Sequence, residues 1–510
     1  MTETINKNDW PLFRMIIPAF PEVNIFTRQA KKTTALGAII VATAANKLWG
    51  WQVEVIDENN YRKGPRDSNE LPDHIVLQRE RPATVVGFYC GLTSTMERVW
   101  KLAELYHQQK AFTIAGGWHA LYCPKETLEH NIDVVVYRDA EKVIRQILSN
   151  LEKEKFLENI PEISFLENGQ LKTNASELVE VLGLDPKLNR LPLPDFGLLK
   201  YAKIKLYPVG RVRGCSKNCE FCSVNEKPHW ASSQHLFETV NWLVETRKAK
   251  RFFLVDDNLA EDLEGTIEFF NMIADKYGNR LDFSIQMRLD LAKNTEFLRV
   301  IKKAGVTIAC IGVESPIDED LKAMHKGYRS DKMLEWIKIV QRYVKTHIML
   351  IAGYPLKERN VFLNAKEIIK RFKEFVRKAH PDSVHVMLPG PGVGTSLRER
   401  LKKEGRLFSL DLVPWSKYDG RFICFRPDKN MSVRELQEMP FKIMGRFYNL
   451  WSFVRISRII VFPIDYLIRR WKPEHRSWYR NAVKSGGYLL MRRWKAKQKM
   501  DEFIKKLENY

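Results

Sequence analysis

Three of the seven cysteines fall within eight residues, at Cys215, Cys219 and Cys222. Their spacing is C-x3-C-x2-C, in a polar loop led by Gly214. Thiolates on one short loop can converge on a common metal centre. Structural zinc sites close a tetrahedron with four ligands, and electron-transfer [4Fe–4S] clusters take four cysteines. No fourth cysteine follows until Cys310. Three thiolates therefore point to a [4Fe–4S] cluster with one iron left open, which can bind a small molecule and pass it an electron. Two other readings stand beside it: a zinc loop completed by His229, and three thiols with no metal. The last fits a Gly-led polar loop poorly, because metal-free structural cysteines are mostly buried as hydrophobes.

A second set of chemical residues closes short apolar runs downstream. Arg251–Val255 ends in Asp256, Asp257 and Asn258, and Phe283–Arg288 carries Gln286 and Arg288 in alternation. Thr307–Ser315 holds Cys310 and Glu314, His347–Pro355 holds Gly353, and Ser383–Pro389 is the fifth run. Helical patterns at Leu298–Lys303 and Lys332–Tyr343 intervene. Strands alternating with helices predict a β/α barrel or partial barrel over 205–400, with its site at the carboxyl ends of the strands. Singly, each polar residue reads as a solvated strand end or a helix cap, Asp256–Asn258 above all. Cys310 reads as a core residue of its strand.

With Phe221 before its last cysteine, the C-x3-C-x2-C loop resembles the signature of the radical S-adenosylmethionine (SAM) superfamily. The resemblance implies that the open iron chelates the amino and carboxylate groups of SAM. Reductive cleavage then yields a 5′-deoxyadenosyl radical, with the electron supplied by a donor such as ferredoxin or flavodoxin. It implies further that Phe221 and Gly353 border the adenine, that Asp256–Asn258 stands at the family's amino-group motif, and that Glu314 lies near the ribose. Gln286 and Arg288 suit the polar ends of SAM, because ammonium and hydroxyls need acceptors and a carboxylate needs donors. Gly353-Tyr354-Pro355-Leu356-Lys357 stands where Gly-Leu-Pro-Gly-Glu is commoner.

Upstream, residues 1–150 alternate strands and helices. Strands are predicted at Phe13–Pro18, Val53–Asp57, Ala83–Phe88, Ala111–Ala115 and Asp133–Val136, with helices at Ala35–Trp49 and Met96–Gln108. This order predicts an open parallel sheet with helices on both faces. Ligands of such sheets bind outside the carboxyl ends of the strands, here at Thr93, Ser94, Thr95, Gly116, Gly117 and His119. Taken alone, these are ordinary strand-to-helix turns. The layout resembles the cobalamin-binding domain of one radical SAM class, on Leu36-Gly37, the Thr93–Thr95 loop and Gly116-Gly117-x-His119. That resemblance implies a cobalamin cofactor held by those six residues. The loop after the fifth strand reads Arg138-Asp139-Ala140-Glu141 where the class often has Gly-Glu-Gly-Glu.

A linker is placed at 151–204. It contains a predicted hairpin at Glu162–Leu166 turning on Asn168-Gly169 and a Pro-punctuated connector, Leu191–Asp195. Residues 401–510 form a basic, aromatic, mainly helical region. Trp415-x-x-Tyr418-Asp419-Gly420 and Met431–Leu436 continue the likeness to the cobalamin class. Residues 441–510 hold 17 Lys/Arg against 5 Asp/Glu, more than half of the net charge of +21. Phe447–Trp471 interleaves aromatics and arginines, as an amphipathic helix on a membrane surface does, or a helix packed on its own barrel. Nucleic acid ranks lower, since no RNA-binding module is recognisable. The cysteine pattern is no disulfide framework, Met1–Lys7 has no apolar signal core, and no stretch of 18 apolar residues appears. A cytoplasmic enzyme is expected, in contact with a membrane at most through its tail.

Taken together, the resemblance implies a cobalamin-dependent radical SAM methyltransferase acting on an unactivated carbon of a lipid- or tetrapyrrole-like substrate. A radical cyclase or other ring-forming enzyme is the rival within the class. A tRNA methylthiotransferase would want a second cluster, for which the N-terminal half offers only Cys90 and Cys123. A non-catalytic iron–sulfur or zinc protein that binds RNA or membranes is the rival outside it.

Overall fold

The structure is a computed structural model of the 510-residue chain. It describes residues 10–22, 24, 27–138, 140–151, 153, 156–174, 182–356, 363–449, 451, 475–497 and 500–509. Contacts divide the chain into two compact units: residues 1–213 with 227–253 and 392–394, and residues 214–226 with 254–391 and 395–510.

In the first unit the strands are β1 (Leu12–Ile17), β2 (Gln52–Asp57), β3 (Val85–Tyr89), β4 (Phe112–Gly116), β5 (Val134–Val136), β6 (Ile163–Glu167), β7 (Gln170–Thr173), β8 (Gly183–Leu184) and β9 (Leu199–Lys200). Eight of them form one sheet in the order β7-β6-β5-β4-β3-β1-β2-β9. The pairings from β5 through to β9 are parallel, and β6 and β7 add an antiparallel edge. The inner order 2-1-3-4-5 is doubly wound, with its switch point between β1 and β3, where such sheets bind ligands. Parallel strands covered by helices must be apolar throughout, as the buried run Val134–Val136 is. β1 is buried at every position although it contains Arg14. That charge is tolerated because it is paired and fully bonded: it donates to Glu54 Oε1 (2.7 Å), Gln78 Oε1 (3.0 Å) and Tyr106 Oη (3.1 Å) and to two carbonyls.

Residues 151–204, read from sequence as a linker, finish this sheet at both edges. The hairpin forms as expected, β6 to β7, with positive φ at Asn168 (52°) and Gly169 (76°). At the other edge Leu199 pairs with Val55. The first unit also contains β10 (Tyr207–Val209), β11 (Val212–Arg213) and β12 (His229–Trp230), and β13 (Arg251–Leu254) up to Phe253.

In the second unit β14 (Asp282–Arg288), β15 (Val306–Glu314), β16 (Lys345–Ile351) and β17 (Ser383–Met387) lie side by side in chain order, all parallel. Helices Leu263–Tyr277, Thr295–Lys303, Met333–Gln341 and Ala365–Ala379 alternate with them. Burial alternates along each strand, so one face packs as core and the other carries polar side chains. Register sets two rows on that second face: Gln286–Cys310–His347–Ser383 and Arg288–Gly312–Met349–His385. Cys310, expected in the core, is on this face, and burial pushes its thiol up to about 12.

The C-terminal part of this unit is helical, as expected: Ser396–Lys403, Val433–Phe447, His475–Lys497 and Met500–Glu508. A capping box of Ser432 and Glu435 starts the second of these. Among the described residues no helix is long and apolar enough to cross a membrane. The aromatic and basic stretch beyond Trp451, to Trp471, lies outside the described residues, as do Asp139 and Lys357.

Candidate active site

The three cysteines share one loop of the second unit, all half-buried and free of disulfides. Gly214 opens it with φ +79°, a turn that favours glycine. The residues after β13 tie the loop down. Gly214 N–H donates to Asp257 Oδ2 (2.8 Å), and Ser216 donates through both N–H and Oγ to Glu261 Oε1 (3.0 Å each). Asn258 Nδ2 donates to Glu261 Oε1 (2.5 Å) and approaches Cys215 Sγ (3.5 Å). Its Oδ1 also accepts from Ala260 N–H (3.3 Å), so the capping role read from sequence is present too. Asp256 is buried beside them.

Glu220, inside the motif, is almost wholly buried. Its carboxylate accepts from Tyr354 Oη (2.8 Å) and from Arg400 Nε (2.8 Å) and Nη2 (3.0 Å). Burial and the neighbouring Glu220 push the Tyr354 hydroxyl upward. Phe221 meets Tyr354 edge-on, ring centroids 6.5 Å apart. Lys326 Nζ lies 6.0 Å from the Phe221 ring and pairs with Glu314 Oε1 at 2.7 Å. Glu314 itself has φ +64°, a left-handed conformation rare for a side chain of this size and of the kind that clusters at functional sites. Gly353 also has positive φ (73°), and a Cβ there would meet Leu436 Cδ1 at 2.2 Å. Arg288 donates to Asp290 and to the Lys326 carbonyl; burial works to lower its pKa, and Asp290 outweighs this and raises it. Gln286, two residues earlier on the same face, is exposed.

The chemistry of this donor set fits a cluster. Burial pushes the Cys222 thiol up to about 11; the Val224 N–H opposes this, and the Cys219 and Cys215 sulfurs add to it. Crowded thiols are costly as free anions and favourable as ligands to a cation, which deprotonates them outright. The zinc alternative needed His229. That residue is buried in β12, with Nδ1 3.0 Å from the Lys227 carbonyl.

In the first unit the residues expected around cobalamin gather at the carboxyl ends of β3 and β4. Gly116 pairs with Tyr89, and Gly117 turns with φ +122°. A Cβ on Gly117 would stand 2.7 Å from the Cys90 and Gly91 backbone, so only glycine allows this close approach. Gly116, Gly117 and Thr93 are half-exposed; Ser94, Thr95 and His119 are buried behind them. Ser94 Oγ accepts from Asn24 Nδ2 (3.2 Å), and Thr95 Oγ1 donates to the Leu92 carbonyl (2.8 Å). His119 Nδ1 is 3.4 Å from Thr93 Oγ1 and Nε2 is 3.4 Å from Glu126 Oε2. His119, Cys123 and Glu126 bring their ligand atoms within 4.8 Å of one another. Bare glycine backbone beside a hydroxyl, at the carboxyl ends of β3 and β4, fits a bulky ring with polar edges.

A radical SAM superfamily model matches residues 210–365, and a B12 binding domain model matches residues 25–148. The chain therefore joins a B12-binding domain to a radical SAM domain, the pairing found in the cobalamin-binding class of the radical SAM superfamily. Its parallel strands and helices are those of that class's partial β/α barrel, and it is an enzyme of [4Fe–4S], SAM and cobalamin. An uncharacterised methyltransferase of Pyrococcus horikoshii is 24% identical over 64% of this chain and 70% of its own length. The hopanoid C-2 methylase of Rhodopseudomonas palustris is 22% identical over 49% of this chain; the match spans about half of that relative (51%). The anaerobic magnesium-protoporphyrin IX monomethyl ester cyclase of a Synechocystis strain is 22% identical over 69% of this chain and 70% of its own. Among solved structures, the radical SAM methyltransferase TsrM of Kitasatospora setae superposes with TM-score 0.62 at 13% identity, covering 78% of this chain and 75% of TsrM.

Glu220, Glu261, Lys326 and Arg400 were not singled out from sequence. Only Glu220 left a trace, as a carboxylate between two cysteines; the others are brought in by the fold.

Proposed function

We propose that this enzyme transfers a methyl group to an unactivated carbon of a hydrophobic, lipid- or tetrapyrrole-like substrate through a 5′-deoxyadenosyl radical. One observation carries the reading: a three-thiol loop, tied by Asp257, Asn258 and Glu261, in the same unit as a sheet face bearing Gln286 and Arg288, in a chain that also has a B12-type domain. When bound, the cluster supplies the electron that cleaves SAM, and cobalamin supplies a methyl carrier. The chain's own residues bind and orient. Arg288 and Gln286 serve the SAM carboxylate, Asp256–Asn258 the ammonium, Glu314 the ribose, and Phe221 and Gly353 the adenine. Thr93, Gly116 and Gly117 meet the corrin, with Ser94, Thr95 and His119 shaping the loop beneath.

Methyl transfer is supported by the relatives named as methyltransferase and hopanoid methylase. The basic, aromatic tail supports a membrane-derived substrate and contact with a membrane surface from the cytoplasmic side. A ferredoxin- or flavodoxin-like protein would be the electron donor. The cyclase relative, matched over more of both chains than the hopanoid methylase, favours ring formation as the second reading.

The test is anaerobic reconstitution followed by dithionite and SAM. Formation of both 5′-deoxyadenosine and S-adenosylhomocysteine is expected. No 5′-deoxyadenosine would end the radical reading, and 5′-deoxyadenosine without S-adenosylhomocysteine would move the assignment to cyclisation. Cys219→Ala should abolish both products and leave iron content well below that of the wild type.

A further inference from the structure

Arg421 follows the Asp419-Gly420 turn in the second unit, where Gly420 has φ +80°. The residue is only 7% exposed, and its Nε, Nη1 and Nη2 are all buried without a hydrogen-bond partner among the described residues. One flat contact holds the guanidinium: Cζ lies 3.5 Å from the ring centroid of Trp494, on helix His475–Lys497. Asp419 supplies negative charge nearby, but its Oδ1 accepts from the Arg421 backbone N–H (3.0 Å), not from the guanidinium. Burial holds the guanidinium down to about 10, with Asp419 opposing, so it is charged at neutral pH. Other shielded arginines of this unit are met by carboxylates: Arg400 by Glu220, Arg476 by Asp382 and Arg288 by Asp290. A buried guanidinium with five idle donors is strongly unfavourable unless an anion completes it.

The place of Arg421 says which anion. The Trp494 ring is 6.1 Å from His385. By register His385 ends the row that begins at Arg288, on the same sheet face. Three strand spacings, about 14 Å, separate the two backbones. Burial holds His385 down to about 3 and His347, in the neighbouring row, down to about 4, so neither histidine adds charge on this face.

We infer that Arg421 binds a carboxylate or phosphate of the substrate, with the Trp494 ring as the floor beneath the guanidinium. The inference rests on the reading of this sheet face as the substrate side. A planar guanidinium fork suits a bidentate oxyanion. An anionic end anchored there leaves the apolar part of the substrate to run along the row toward Arg288.

The test uses the full chain with its cluster reconstituted anaerobically, and reads the thermal midpoint with heptanoate, inorganic pyrophosphate or heptanol. Heptanoate or pyrophosphate should raise the wild-type Tm by several degrees, while heptanol should not. A response to heptanoate alone assigns a carboxylate, and to pyrophosphate alone a phosphate. In Arg421→Met the anion response should vanish and the anion-free Tm should equal or exceed that of the wild type. Arg421→Lys, which keeps charge but loses the fork, should weaken binding about tenfold. The inference is overturned if no anion shifts the wild type, if Arg421→Met keeps the full shift, or if that variant is less stable than wild type without anion. SAM cleavage by the wild type is measured apart: its absence would sink the radical reading and leave the anion response to be judged by itself.

Discussion

Glu220 separates Cys219 from Cys222 and commits its carboxylate to Tyr354 and Arg400, so the cysteine loop is fastened from within. Removing one partner of a buried ion pair costs about 3–5 kcal/mol. Glu220→Ala should lose that much in denaturant unfolding and hold less iron after reconstitution; full iron content would show that the loop does not depend on it. Tyr354→Phe removes one bond to a charged group and should cost about 1.5–3 kcal/mol. Asp320 gives a pH signature. Burial pushes its carboxyl from 3.8 up to about 7, against the Ser315 hydroxyl that donates to it at 2.6 Å. The folded state keeps a proton that the unfolded chain releases. The contribution is therefore full below 3.8 and falls away as pH rises through about 7. Asp320→Asn keeps an acceptor for Ser315, so it should match the wild type near pH 4 and exceed it at pH 8. Urea unfolding at both pH values checks this, and a difference independent of pH would refute the assignment.

At the scale of elements, two attachments matter. The β4 turn depends on Gly117, whose φ of +122° and 2.7 Å approach to the Cys90–Gly91 backbone leave no room for a Cβ. Gly117→Ala should lower both stability and the cobalamin content of the purified protein, measured by its corrin absorbance; unchanged cobalamin would remove this turn from the binding surface. Helix His475–Lys497 is fastened to the second unit through Asp382. That carboxylate takes Arg476 at 2.6 and 2.8 Å, Arg480 at 2.9 Å and the Thr346 N–H at 2.8 Å. Burial works to raise Asp382, and these donors outweigh it and hold the group below its usual range. Its contribution is present above 3.8 and is lost as pH falls. Both arginines are partly exposed, so Asp382→Asn should cost toward the low end of about 3–5 kcal/mol. It should also speed tryptic cleavage within 475–497; an unchanged cleavage rate would mean that other contacts hold the helix.

For the molecule as a whole, the sheet of the first unit does not end where the helix of residues 140–150 ends. A fragment of residues 1–150 would lack β6, β7 and β9, leaving β5 and β2 as open edges of the kind that aggregate. Residues 1–204 keep both edges covered. The longer fragment should stay monomeric in size-exclusion chromatography and the shorter should not. Equal behaviour of the two would restore residues 151–204 to the status of a linker.

Local signals were enough to read the strands and helices of both units, the Asn168–Gly169 hairpin and the three-thiol loop. Apolar runs, turn residues and cysteine spacing act over a few residues, so sequence order preserves them. The two faces of Phe283–Arg288 were legible as well, because alternation has a period of two, whereas Cys310, read as core, lies on the polar face of its strand. What joined residues far apart in the chain was not. Glu220 with Arg400, Glu314 with Lys326 in a left-handed turn, and Asp382 with Arg476 are long-range or conformational pairings that no local pattern encodes. Nor could sequence tell which polar residues would be left with idle donors. Arg421 is one arginine in a basic C-terminal region by sequence; only burial against Trp494, without an acceptor, distinguishes it. The cysteine loop and the two domain signatures determined the class of chemistry from sequence alone. Tertiary structure decided which side chains hold that loop and which buried charge still requires an anion, because burial and partnership are properties of packing.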